Sequence, residues 1–404
     1  MKLSFSLSVL VALAGATNLA GAFQNVRPAS TFKTALFVNS NIILKPSEDA
    51  GAFDSLKVGG ARVHRYSRGA TNLEGDLDSE TEYVMWYHAR SIEQDADKSL
   101  PNLSTGRIGR ATSKNGLLWK KDTVGSLSED VDDCSLGINK ESWWGFDTAH
   151  VGLGNVLLPM TTPAVMTEGG VFLMYYMGGS FDETPIGDYT DKEMPADAKI
   201  KGMKMKVGVC ISQDGITWGR VEGDDPSGAC MVPYDKADPN LEPVKDDDGS
   251  DLNLKEELYC GWPEVVVDIK EADQGKSGFF MYYSTMTKLD KQKSLAYAVS
   301  TDGFRWDKRG ICLEPTEGSM DADGCARCTV VRNASYNEET ATWKDSDGYT
   351  MYYEGVSKED GKHRIMMAQG MDGRKWTKQG VVVDVGESGD AFDCEGVGFP
   401  NVLR

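Results

Sequence analysis

Three patterns of apolar and polar positions recur along this chain, always in the same order. The first is a methionine followed by two aromatic residues: Met85-Trp86-Tyr87, Met174-Tyr175-Tyr176, Met281-Tyr282-Tyr283 and Met351-Tyr352-Tyr353. Aromatic enrichment over so short an apolar run predicts a strand packed on both faces. The second is Ser-x-Asn/Asp-Gly-x-x-Trp, at 113–119, 212–218 and 300–306, with a variant at 370–376. Asn-Gly and Asp-Gly accept the positive φ angles of a tight type I′ turn, so each copy predicts a hairpin between two antiparallel strands. The third is an acid followed four positions later by Val or Cys at the head of another strand: Asp54 to Val58, Asp147 to Val151, Glu256 to Cys260, Asp321 to Cys325 and Asp393 to Val397.

One strand after the acid, one at the methionine-aromatic run and two flanking the glycine turn make a four-stranded unit, the blade of a β-propeller. The predicted fold class is all-β, a five-bladed propeller of four-stranded antiparallel blades with an incomplete last blade. The repeat spacing varies because of insertions at 182–204 and 229–255, and such insertions gather on a binding face. Residues 41–54 align without a gap to 380–393, so the early segment reads as the outermost strand of a blade whose inner strands lie elsewhere. The fifth acid is followed by an inner strand, 397–403, and no middle hairpin. An open edge there would leave strand hydrogen-bonding groups unpaired, so the pattern favours a truncated chain over an open ring.

The formal net charge of -19, from 62 acidic and 43 basic residues, opposes a nucleic-acid or anionic-membrane partner. Neutral sugars meet no such objection. Eight cysteines are too sparse for a disulfide-stapled scaffold and are expected mostly as buried thiols. Cys325 and Cys328 form a CxxC, but their spacing within a predicted strand puts them on opposite faces, and no second pair follows. No metal and no cofactor is expected.

Lys2, the apolar run 3–13 and Ala20-Gly21-Ala22 read as a secretory signal over residues 1–22. Residues 23–36 open a stretch, extending to Ser47, that has basic and hydroxyl residues but no Asp or Glu, the composition of a transit peptide. The Ala22-Phe23 junction resembles that of bipartite plastid-targeting signals of algae with secondary plastids. That resemblance implies a plastid location, with plain secretion as the alternative. The propeller domain takes residues 37–404.

From about residue 40 to 404 the repeat resembles the five-bladed glycosidase propellers, the arabinanase, levansucrase and invertase superfamily that includes glycoside hydrolase families 43, 32 and 68. There, acids on the inner strands of the first three blades converge on the axis. The resemblance implies an oligo- or polysaccharide substrate, Asp54 as base or nucleophile, Asp147 as an orienting acid and a glutamate of blade three as general acid. The chemistry needs two carboxyls, one holding a proton for the leaving sugar and one ionised to attack or to activate water.

Blade three offers Glu256, which aligns with the repeated acid, and Glu264, which aligns with Arg62, Asn155, Thr329 and Asn401. Structural demands repeat with the fold and chemistry does not, so Glu264 is the preferred acid. By the same logic, an acid at one place in every blade is also what a turn cap requires. Arg62, Trp262, Glu256, Asp321, Arg327 and Asp393 complete the candidate site as substrate contacts. Trp143 and Trp144 could stack on a sugar ring or pack between blades, and His150 heads an inner strand. The chain lacks the Trp-Met-Asn-Asp-Pro run of the invertases, and no ring acid is followed by Pro, so substrate class stays open. Two other readings remain: a glycoside phosphorylase, in which a basic cluster holds phosphate, and a non-catalytic carbohydrate-binding or assembly propeller.

Overall fold

The structure, a computed structural model, describes residues 42–403 apart from 72–76, 93–104, 123–133, 161, 163–164, 166–168, 239–243, 247–248, 269–277, 338–341 and 388–390. The signal and transit segments expected at 1–36 lie outside the described residues.

Four antiparallel sheets of four strands follow one another around the propeller. Blade one holds β1 (Lys57–Thr71), β2 (Leu77–Arg90), β3 (Arg107–Ser113) and β4 (Lys120–Lys121). Blade two holds β5 (His150–Met160) and β6 (Val171–Gly179), then β9 (Lys206–Ser212) and β10 (Gly219–Val221). The insertion between β6 and β9 carries a separate hairpin of β7 (Glu183–Pro185) and β8 (Lys199–Lys201). Blade three is β11 (Glu257–Val267), β12 (Phe279–Thr287), β13 (Lys293–Ser300) and β14 (Asp307–Leu313); blade four is β15 (Gly324–Asn337), β16 (Thr342–Val356), β17 (His363–Gly370) and β18 (Thr377–Val383). Separate apolar clusters cement blade one to two, two to three and three to four.

Each repeated residue has an identifiable contact. The first aromatic of the methionine-aromatic run reaches the turn of the next blade. Trp86 Nε1 donates to Gly215 O (3.1 Å), Tyr175 OH to Gly303 O (2.9 Å) and Tyr282 OH to Gly373 O (2.6 Å). The turns depart from the expected type I′, which needs positive φ at both central residues. Only the glycines Gly116, Gly215, Gly303 and Gly373 have positive φ. Thr112 pairs with Lys120, so 113–119 form one longer loop. The Ser and Asx side chains cap it: Ser113 Oγ accepts from Gly116 N (2.9 Å), and Asn115 Oδ1 accepts from Leu117 N and Leu118 N (2.9 Å each). Ser212 with Asp214 and Ser300 with Asp302 repeat the arrangement. Side-chain caps of this kind compete with the two-residue turn for the same backbone amides.

Past β18 the chain returns to the axis at 396–403. Val397 N donates to His363 O (2.9 Å) in blade four, while Asn401 Oδ1 accepts from Val63 N (3.3 Å) in blade one. This segment closes the ring at its centre. Ile43 and Leu44 pack on the cluster of Met85 and Tyr87. Lys121 Nζ donates to Ser47 Oγ (3.0 Å), as Lys378 Nζ does to Thr316 Oγ1 (2.8 Å). Residues 42–47 thus stand beside blade one as the outer strand of a preceding blade stands elsewhere. Among the described residues, no strand lies between these two ends of a fifth blade.

Candidate active site

The repeated acids share one arrangement. Asp54 Oδ2 accepts from Tyr87 OH (3.1 Å) and lies 2.5 Å from Lys121 Nζ. Asp147 Oδ2 accepts from Tyr176 OH (2.8 Å) and Arg220 Nε (2.7 Å). Glu257 accepts from Tyr283 OH (2.7 Å) and Lys308 Nζ (2.5 Å). Asp321 Oδ2 accepts from Tyr353 OH (2.8 Å) and Lys378 Nζ (2.5 Å). In every blade, then, the third residue of the methionine-aromatic run and a base from the outermost strand clamp the acid that precedes the inner strand. Burial and the neighbouring carboxylate raise the tyrosines Tyr176 and Tyr283 well above their ordinary range. Burial opposes the charge of Asp321, but Lys378, Ser319 and Tyr353 outweigh it and hold its pKa low.

The alignment that put Glu256 in this ring is corrected by one residue. Glu256 points outward towards Lys288 (3.6 Å), and Glu257 fills the clamp. Glutamate is one methylene longer than aspartate, so it reaches the same point from a position one residue nearer the strand. The fifth acid, Asp393, has neither the tyrosine nor the base among the described residues, and its backbone O accepts from Gly386 N (3.4 Å).

A second layer lies deeper, on the inner strands. The pairing register slips between Gly59 and Arg62, Leu153 and Asn155, Gly261 and Glu264, and Ala326 and Cys328. Each bulge re-aims the residue after it, and those residues latch one blade to the next. Arg62 Nε donates to Gly154 O (2.6 Å), Asn155 Nδ2 to Val265 O (3.0 Å), and Glu264 Oε1 accepts from Thr329 Oγ1 (3.0 Å) and Val330 N (3.2 Å). Arg62 also donates to Pro400 O (3.1 Å) and Cys328 O (3.3 Å), so one guanidinium touches strands all round the axis. Its Nη2 lies 2.9 Å from Glu264 Oε2. That oxygen has no contact of hydrogen-bonding geometry. Burial raises the pKa of Glu264 against the pull of Arg62 and the donors from blade four.

Beside this layer the bulges place Gly60, Trp262 and Arg327 at positive φ, and Phe399, in the segment after β18, shares it. Left-handed backbone is uncommon for bulky residues and concentrates at functional sites. The three side chains meet: Arg327 lies over Trp262 (4.5 Å) and Phe399 (4.2 Å), a cation–π sandwich. Glu354 fixes it through Nη1 (2.5 Å), binds His363 Nδ1 and accepts from Phe399 N (3.1 Å). Although burial disfavours its charge, Arg327 and His363 hold the Glu354 pKa down at about 2.

Further cations crowd this end of the axis. Arg90 Nε donates to His88 Nε2 (3.3 Å), which leaves the proton of His88 on Nδ1. Burial and then the charge of Arg327 bring Arg90 down to about 10. Burial, helped by Arg90, His150 and Arg327, keeps His88 neutral; burial brings His150 to about 4, with its ring hydrogen-bonded to Gly202 O (2.8 Å).

The structure thus brings Arg62 to Glu264 and Trp262 to Arg327 on the inner strands and sets Asp54, Asp147 and Asp321 in separate clamps. Trp143 and Trp144 form an exposed, edge-to-face pair. No disulfide joins the eight cysteines, five of which are buried. Among the described residues, no group of three or more His, Cys, Asp or Glu side chains could hold a metal ion, and no helix is long and apolar enough to cross a membrane. Glu354 and His88 were missed from the sequence. The signal was present, since the residue after each methionine-aromatic run is His88, Met177, Ser284 or Glu354, a position that breaks the repeat as Glu264 does.

No protein-family model and no curated protein sequence matches the chain. Among solved structures, a glycosyl hydrolase from Bacteroides ovatus is 15% identical with a TM-score of 0.42, covering 88% of this chain and 84% of that one. A β-1,2-mannobiose phosphorylase from Listeria innocua is 11% identical, TM-score 0.40, over 80% and 78%. A family 117 glycoside hydrolase from Zobellia galactanivorans is 12% identical, TM-score 0.41, over 80% and 70%. Likeness at this level carries no chemistry across to this chain.

Proposed function

We propose that the protein is a carbohydrate-active enzyme that cleaves or transfers glycosyl units at the propeller axis, with Glu264 as its acid and Glu354 as the ionised partner. The supporting observation is that two buried glutamates on neighbouring blades are pushed in opposite directions, Glu264 up and Glu354 down to about 2. Carboxyl groups with divergent pKa values are how a site divides the roles of proton donor and anion. Glu264, whose burial favours the protonated form, protonates the departing glycosidic oxygen; Glu354 carries the negative charge that faces the developing positive charge of the sugar. Trp262 and Phe399 supply aromatic faces beside them, and Arg327 is held between the rings as a donor to substrate oxygens.

The test is turnover of a panel of oligosaccharides and aryl glycosides by the parent chain and by Glu264→Gln and Glu354→Gln. Loss of kcat by roughly 10²–10⁴-fold in Glu264→Gln is expected. The fold should persist, because glutamine keeps the oxygen that Thr329 and Val330 contact and Arg62 keeps its three carbonyl partners. Full turnover in both variants would reject the assignment. The cationic cluster of Arg90 and Arg327 favours a second reading, attack by phosphate in place of water, for which turnover would depend on added phosphate. Glycan binding without product in every protein, parent included, would select a non-catalytic propeller.

A further inference from the structure

The groups of the proposed site are out of water: Glu264 is 4% exposed, Trp262 9% and Glu354 0%. An interior packed at crystal density has no room for a sugar, so part of the wall has to move before a glycan can reach them. The floor is fixed. Arg62 is bound to three carbonyls on three segments, and each inner strand of blades one to four belongs to a four-stranded sheet.

Residues 180–204, the insertion between β6 and β9, are built differently. β7 and β8 form a two-stranded sheet of their own. The bonds from Ile186 N to Ala198 O (3.0 Å), Thr184 Oγ1 to Ile200 O (3.1 Å) and Lys199 Nζ to Glu183 Oε2 (3.0 Å) close within the insertion. One side of it rests on the site, because Tyr189 and Met203 pack on the cluster that holds Tyr259 and Trp262. Its two ends meet at a pair of glycines: a Cβ on Gly179 would meet His150 Nε2 and stand 2.5 Å from Gly202 O. Gly202 has φ +79°, a backbone angle that glycine adopts without cost. A root so narrow concentrates bending in those few residues. Between the ends, one cation from blade three holds the insertion down. Lys291, in the loop between β12 and β13, donates from Nζ to Thr190 O (2.9 Å) and lies 3.8 Å from Asp191 Oδ1. Its own backbone is left-handed, φ 49°, a conformation uncommon outside glycine that persists where the surroundings require it.

We infer that residues 180–204 are a hinged cover of the proposed site, latched by Lys291, which opens to admit a glycan and closes to exclude water from the reacting groups. The inference rests on the proposed function for the identity of the guest, whereas the motion of the cover is measurable without turnover.

Amide hydrogen exchange over 183–201 is the readout, in the full chain and in its Lys291→Met and Lys291→Arg variants, with β6 and β9 as the internal reference. Lys291→Met should speed exchange in 183–201 about tenfold, the effect of one charged hydrogen bond, and leave β6 and β9 unchanged. Lys291→Arg keeps a charged donor and should keep most of the parent's protection. Saturation with an oligosaccharide of the panel above should slow the same amides in the parent. Equal exchange in the parent and Lys291→Met, or an acceleration that spreads equally to β6 and β9, would overturn the cover. Turnover of an oligosaccharide that leaves exchange over 183–201 unchanged would also overturn it while leaving the chemistry standing. Absence of turnover and of glycan binding, with the Lys291→Met effect present, would support the cover and reject the glycosidase reading.

Discussion

Two layers of buried polar side chains lie within a few residues of each other along the inner strands, and they differ in how they treat the repeat. In the outer layer Asp54, Asp147, Glu257 and Asp321 have the same two partner types at nearly the same distances, blade after blade. A contact repeated four times is what the blade itself requires: it ties the inner strand to the second and fourth strands of the same sheet. In the deeper layer the hydrogen bonds differ from blade to blade. Arg62, Asn155, Glu264 and Asn401 latch neighbouring blades with different chemistry, and Glu354 stands where the other blades have His88, Met177 and Ser284. Position on an inner strand is therefore no guide to chemistry in this fold; departure from the repeat is.

The difference can be tested at graded cost. The largest effect should come from Glu257→Ala, which strands Lys308, 9% exposed, beside no carboxylate; a loss of about 3–5 kcal/mol in chemical denaturation is expected. Acid should come next. His150 has its folded pKa lowered to about 4 from an ordinary 6.5, so the unfolded chain takes up the proton first and stability falls as pH drops through 6.5 towards 4, by roughly 3 kcal/mol from this residue. Glu354, depressed from 4.5 to about 2, adds a second loss only below pH 4.5. Melting temperature against pH should therefore fall in two stages, and His150→Asn should reduce the first, to which His88 also contributes.

Gly154→Ala is smaller, about 1–3 kcal/mol, because a Cβ there would meet Pro263 O and Cγ at 2.4 Å. It would also disturb the carbonyl that Arg62 Nε contacts. Smallest is a pair: Tyr282→Phe should cost about 1 kcal/mol through its bond to Gly373 O, and Tyr352→Phe close to nothing. Equal losses in the two would show that the inter-blade tie does not explain the aromatic signature.

The four blades were legible because each signature is a local demand that recurs: glycine where the turn needs positive φ, tyrosine where an acid needs a donor, methionine and aromatics where sheets face each other. Glu264 was legible for the opposite reason, as the exception in an aligned column. What sequence could not supply was the off-by-one at Glu256 and Glu257, since alignment by spacing ignores that a longer side chain reaches further. The turn geometry was misjudged at Asn115 and Asp214 because the dipeptide fits both a two-residue turn and a side-chain-capped loop. The sandwich of Arg327 between Trp262 and Phe399 rests on left-handed backbone, at bulges for Trp262 and Arg327, and nothing in the residue types announces a bulge.

The most direct test of the division between layers sets Asp54→Asn against Glu264→Gln, each measured for Tm and for glycan turnover per folded molecule. Asp54→Asn should lower Tm while the folded fraction keeps its turnover, and Glu264→Gln should lose turnover while remaining folded. The reverse pattern, turnover abolished by Asp54→Asn and retained by Glu264→Gln, would contradict the account and return the chemistry to the repeated ring.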